Sequence, residues 1–92
     1  MLDRSEAHST ERVAQLVRQL MAKRSIDRPA GYDDVLSECG LTSLDMVNLM
    51  LAVETEFDIK IPDRDMTPSN FRSIAQIDKL VGALLRRDQQ VR

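Results

Sequence analysis

From Val13 onward, apolar side chains recur every third or fourth position, as Val13, Leu16, Val17, Leu20 and Met21, with Arg12, Gln15, Arg18 and Gln19 opposite. That spacing belongs to an amphipathic helix, because a strand turns its side chains over every second residue. It predicts a first helix over about residues 10–23, with Ser9 or Thr10 able to cap it. The period returns in Leu44, Val47 and Leu51, running on to Glu54 and Phe57 or Asp58, and again in Ile74, Ile77, Leu80, Val81 and Leu84. Between the periodic stretches the chain is broken. Residues 25–39 contain Pro29 and Gly31 and hold no period, so they read as a long loop with one turn near 34–37. Pro62 restrains Ile61 to extended geometry, which stops the second helix near Asp58. A short turn at 63–66 and the breaker Thr67-Pro68-Ser69-Asn70 follow, and Ser73-Ile74-Ala75-Gln76 forms a capping box for a last helix ending near Leu85. Aromatics are 3% of the chain with no Trp, which also argues against a sheet. The expected fold is all-α: three main helices plus one short helix, in one domain over 1–92, ordered at about 9–86 with frayed ends.

Size and charge exclude several functions. A chain of 92 residues makes one small domain, burying roughly 60% of the surface its unfolded form exposes. Hydrophobic residues at 42% and charged ones at 30% suit a globular protein rather than a disordered one. The 13 Lys and Arg are scattered among 15 acidic residues for a net −2, so no basic stripe follows a phosphate backbone, and nucleic acid is not an expected partner. No apolar run could span a bilayer, residues 1–10 hold no signal-like apolar segment, and Leu2 stands where myristoylation requires Gly, so a cytoplasmic, monomeric protein is expected. One Cys and one His can make neither an intramolecular disulfide nor a Cys/His zinc site. Asp33-Asp34 and the Asp63/Asp65 pair lack the spacing and Gly of a calcium loop and read as loop and cap residues. Cys39 reads as a half-buried small hydrophobe. His8, in the N-terminal end, is badly placed to serve Ser43 as a base, so a Ser/His hydrolase has no support.

The remaining chemistry centres on Ser43. Thr42 can cap the second helix and Asp45 sits at the third helical position, as in a capping box. A serine in the first turn is suited to hold a phosphodiester, because unpaired N–H groups and the positive end of the helix dipole favour an anion there. From position alone, the plainer reading of Ser43 is a second capping residue.

The run Cys39-Gly40-Leu41-Thr42-Ser43-Leu44-Asp45-Met46-Val47, with Glu54-Thr55-Glu56-Phe57-Asp58-Ile59-Lys60-Ile61-Pro62-Asp63 closing the helix, resembles the acyl carrier protein signature. In that family Gly-x-Asp-Ser-Leu opens helix two, and an acidic segment with Phe precedes Ile-Pro-Asp. The resemblance covers most of the chain and implies an acyl carrier protein-like four-helix bundle. It also implies that a phosphopantetheinyl transferase, using coenzyme A and Mg²⁺, attaches 4'-phosphopantetheine to Ser43. The arm would carry acyl or aminoacyl groups as thioesters between a loading ligase and a downstream synthase or transferase, the carrier itself catalysing nothing. Similar carriers dock their enzymes through an exposed helix-two face, here Thr42, Leu44, Asp45, Met46, Met50, Glu54, Glu56 and Asp58. Solvated surface charge is the plainer reading of the acids, and core packing that of Met46 and Met50.

Three departures stand out. Thr42 replaces the usual Asp before the serine, Asn48 stands where many fatty-acid carriers have Glu, and Thr55 interrupts the acidic run. Thr42 keeps open an alternative, an unmodified interaction module on the carrier fold. The segment from Pro62 to Ile74 is similar to that of dedicated carriers served by synthetase-like amino acid:carrier protein ligases. An amino acid, a fatty acyl chain and a polyketide unit all remain open as cargo.

Overall fold

The computed structural model describes residues 4–90, with side chains from 9 to 87. Three helices form: α1 (Arg4–Lys23), α2 (Ser43–Phe57) and α3 (Ile74–Gln90), with short 3-10 turns at Leu36–Cys39 and Asp63–Asp65 and no strand among the described residues. The all-α expectation holds. Helix α1 starts about six residues before the expected Thr10, so Ser9 and Thr10 lie inside it rather than at its cap, and α3 runs about five residues past Leu85; Arg, Glu, Ala and Gln are good helix formers and no Gly or Pro interrupts these extensions. The side chain of His8 lies outside the described residues.

α1 is the central element and packs against both α2 and α3. Val13, Val17 and Met21 meet Leu49, Val53 and Phe57 of α2 and Ile74, Ile77, Val81 and Leu84 of α3 in one core, which Leu36, Cys39, Leu41, Ile61 and Phe71 complete from the loops. The stripes of α1 and α3 are the expected ones, with Leu16, Leu20 and Leu80 half-buried at the margins. Cys39 is buried in the core rather than half-buried.

α2 corrects the sequence reading. Leu44, Val47 and Leu51, taken for the apolar stripe, are 69%, 48% and 54% exposed, and the buried residues are Asp45, Leu49, Val53 and Phe57. The helix is apolar on two faces, so periodicity supplies two candidate stripes and only contact with α1 selects one.

The long loop is stitched to the start of α3. The Ala75 N–H donates to the Tyr32 carbonyl (2.9 Å) and the Leu36 N–H to the Arg72 carbonyl (2.8 Å). Ser9, Thr10 and Tyr32 hydroxyls all donate to the Asp78 carboxylate, at 2.8, 2.6 and 3.3 Å, tying α1 and the loop to α3. The loop ends at Gly40, whose φ of 109° is one that glycine adopts at low cost. Its N–H closes the 3-10 turn onto Leu36 and Ser37 and aims the chain at α2.

Candidate functional site

Ser43 is exposed at the first residue of α2. The two preceding residues set its position: Leu41 is buried in the core, while Thr42 is extended (φ −92°, ψ 175°) as the cap. The capping box foreseen from sequence is complete. The Thr42 N–H donates to Asp45 Oδ2 (2.8 Å) and the Asp45 N–H to Thr42 Oγ1 (3.2 Å). A helix start leaves four amides without intrahelical partners. The box satisfies those of Thr42 and Asp45, so the Ser43 and Leu44 amides remain unpartnered among the described residues, beside the Ser43 hydroxyl. That arrangement suits an anionic phosphodiester on Ser43.

Asp45 is not on the exposed face where the sequence put it. It is 5% exposed, folded back into the box, and Arg24 Nε lies 3.3 Å from its Oδ2. The Thr42 N–H, above all, holds its carboxyl below the ordinary value. Partial desolvation opposes this, and the Thr42 hydroxyl and the Arg24 charge reinforce it. Arg24 reaches this point because the end of α1 is pinned, its own N–H shared between the Leu20 and Met21 carbonyls at 3.1 Å each.

The other acids on α2 are separated by their partners. Glu54 is half-buried and accepts the Ile61 N–H (2.7 Å), which folds the Ile59-Lys60-Ile61 segment back along the helix. Glu56 is exposed and pairs with Arg12 Nε at 2.7 Å, while the Arg12 guanidinium lies 4.5 Å from the Phe57 ring centroid. Asp58 is exposed at the helix end, in the left-handed conformation that Asp tolerates (φ 54°, ψ 50°). Leu44, next to Ser43, is the most exposed large apolar residue among the described residues.

Met46 and Met50 are half-buried against the core, and both line an open groove of about 930 Å³ that begins at Thr42 and Ser43. Its far wall is formed by Val35, Ser37 and Glu38 together with Met66, Pro68, Ser69, Phe71 and Arg72. That volume is in the range of small-molecule sites. Sequence reasoning missed Glu38, Met66, Phe71 and Arg72. They lie in the two aperiodic segments, where no repeat marks a side chain as inward or outward. The one available signal was Phe71, a large apolar residue inside a polar break. Among the described residues there is no group of three or more potential metal ligands, and no helix is long and apolar enough to cross a membrane.

Residues 11–82 match the phosphopantetheine attachment site family. The chain is 40% identical over 70 residues to aminoacyl carrier protein 1 of Bradyrhizobium diazoefficiens, covering 76% of this chain and 78% of that one. It is 34% identical over 74 residues to the aminoacyl carrier protein of Agrobacterium fabrum, covering 75% and 88%. Among solved structures, it is similar to a chain in the crystal structure of Bradyrhizobium japonicum glycine:carrier protein ligase complexed with its cognate carrier protein and an analogue of glycyl adenylate. The TM-score is 0.69 at 38% identity, over 80% of this chain and 96% of that one. The ligase complexed with the glycylated carrier protein gives a TM-score of 0.67 at the same identity, over 77% and 96%.

Proposed function

The chain belongs to the family of carrier proteins built around a phosphopantetheine attachment site, and on that premise we propose that it carries aminoacyl groups on a 4'-phosphopantetheine arm borne by Ser43. The observation that carries this reading is the exposed Ser43 hydroxyl beside two unpartnered amides at the mouth of a groove. The arm supplies a terminal thiol on which cargo is held as a thioester. The chain's own residues do the positioning. Thr42 and Asp45 fix the first turn, the Ser43 and Leu44 amides and the helix dipole favour the phosphodiester, and Ser43 Oγ, giving up its proton, would displace the nucleotide half of coenzyme A from phosphorus. Another enzyme would modify the carrier, which would itself catalyse nothing.

The cargo class rests on the relatives, which are named aminoacyl carrier proteins, and on the glycine ligase complexes. A phosphopantetheinyl transferase would install the arm, an amino acid:carrier protein ligase would load it, and a downstream transferase would take the cargo. The exposed stripe Leu44, Val47 and Leu51 offers such enzymes an apolar contact next to Ser43. Of the acids on α2, Asp58 is exposed without a side-chain partner among the described residues, whereas Asp45 is buried, Glu54 is bonded to Ile61 and Glu56 to Arg12. Docking would therefore lean on the apolar stripe more than on charge.

Coexpression with a broad-specificity phosphopantetheinyl transferase tests the attachment. The intact mass should rise by one phosphopantetheine in the native chain and stay unchanged in Ser43→Ala. An unmodified native chain with several transferases would overturn the reading and favour an unmodified interaction module.

A further inference from the structure

The groove beside Ser43 is lined by one acid and one base, Glu38 and Arg72, amid walls that include Met46, Met50, Met66 and Phe71. Both charged residues are exposed, and neither side chain has a hydrogen-bond or ion-pair partner among the described residues. An arm loaded with an amino acid is a dipolar ligand of complementary kind. It carries an anionic phosphodiester where it is anchored and, at its far end, an α-amine that is protonated at neutral pH, with an ordinary pKa of roughly 8. An acyl chain of the same length lacks the cation and would leave Glu38 unpaired.

We infer that the groove receives the loaded end of the arm and that Glu38 pairs there with the α-ammonium of an aminoacyl cargo. This rests on the reading that Ser43 bears the arm. A single pair at an exposed carboxylate is weak in free solution. A tethered ligand, however, is present at an effective concentration in the millimolar range, so a weak contact is populated. The apolar walls take the uncharged part of the arm, and Glu38 makes the groove selective for cargo with a free amine.

Three methionines lining the groove provide the probe. The full chain, labelled with ¹³C at its methionine methyls, is converted by a phosphopantetheinyl transferase to two forms: one bearing a glycyl arm in a hydrolysis-resistant amide linkage, one bearing its acetyl counterpart. Intact mass establishes the arm in each. In the glycyl form the methyl signals of Met46, Met50 and Met66 should move relative to the arm-bearing but unloaded protein, while core Met21 stays fixed. In the acetyl form the groove-bound population should be roughly two- to fivefold lower, as loss of one exposed pair implies. Glu38→Gln should abolish that difference with the fold intact by circular dichroism. Unmoved groove methyls in the glycyl form, equal shifts in both forms, or a difference that survives Glu38→Gln would each overturn the inference while leaving attachment at Ser43 standing. Failure of the arm to attach would overturn both.

Discussion

Thr42 stands where the resembling carriers have Asp, and it keeps the capping role through its hydroxyl. Removing that oxygen strands the Asp45 amide, so Thr42→Ala should cost about 1 kcal/mol. The loss should be visible as a lower denaturation midpoint with an unchanged slope. Asp45 carries a pH dependence. Its folded-state pKa lies below its ordinary value of 3.8, so the ionised form contributes stability that is fully present above 3.8 and lost as pH falls through the folded value. Asp45→Asn should weaken stability at neutral pH and flatten its decline between about pH 5 and pH 2, followed by chemical denaturation across that range. The box was legible in the sequence because it spans four consecutive residues. The Arg24 contact to Asp45 was not, since it joins positions 21 apart and depends on where α1 stops.

At the scale of an element, α2 carries two apolar stripes and buries one. Leu49 is buried and Leu51, two residues on, is 54% exposed, so the same substitution should have very different costs. Leu49→Ala should destabilise by about 2–5 kcal/mol through the cavity it leaves, and Leu51→Ala should stay within about 0.5 kcal/mol. Equal losses in thermal or chemical unfolding would refute this assignment of faces. A polar residue at Leu51 should slow loading by a partner ligase without lowering the unfolding midpoint. In α1 and α3 a single apolar stripe opposes a polar face, and there the buried set was readable directly.

At the scale of the whole molecule, Asp78 gathers Ser9, Thr10 and Tyr32 onto one carboxylate and so joins α1, the long loop and α3. Tyr32 is the single tyrosine of a chain without Trp, so its ionisation can be followed by ultraviolet absorbance without interference. Its phenol is raised above the ordinary 10.0, first by desolvation, then by the Asp78 charge and hydrogen bond, and last by Asp33. Asp78→Asn should bring the titration part of the way back toward 10.0, and an unshifted curve would show that Asp78 does not act on Tyr32. Because the folded value is the higher one, this contribution to stability is full below 10.0 and is lost as pH rises through the folded value. Of the site, Ser43, Thr42 and the helix start were legible in one contiguous motif. The groove was not, because its far wall comes from two aperiodic segments held together by the Leu36–Arg72 hydrogen bond.

The sequence alone determined three helices, their breaks and the serine at the head of α2, all products of interactions within a few residues along the chain: periodic burial, capping and the rigidity of proline. The tertiary structure decided which face of α2 is buried, that Asp45 turns inward toward Arg24, and that Glu38 and Arg72 border the same groove as Ser43. Those choices depend on contacts between segments distant in sequence, and a local pattern that fits two faces equally well holds no information about which neighbour will cover one of them.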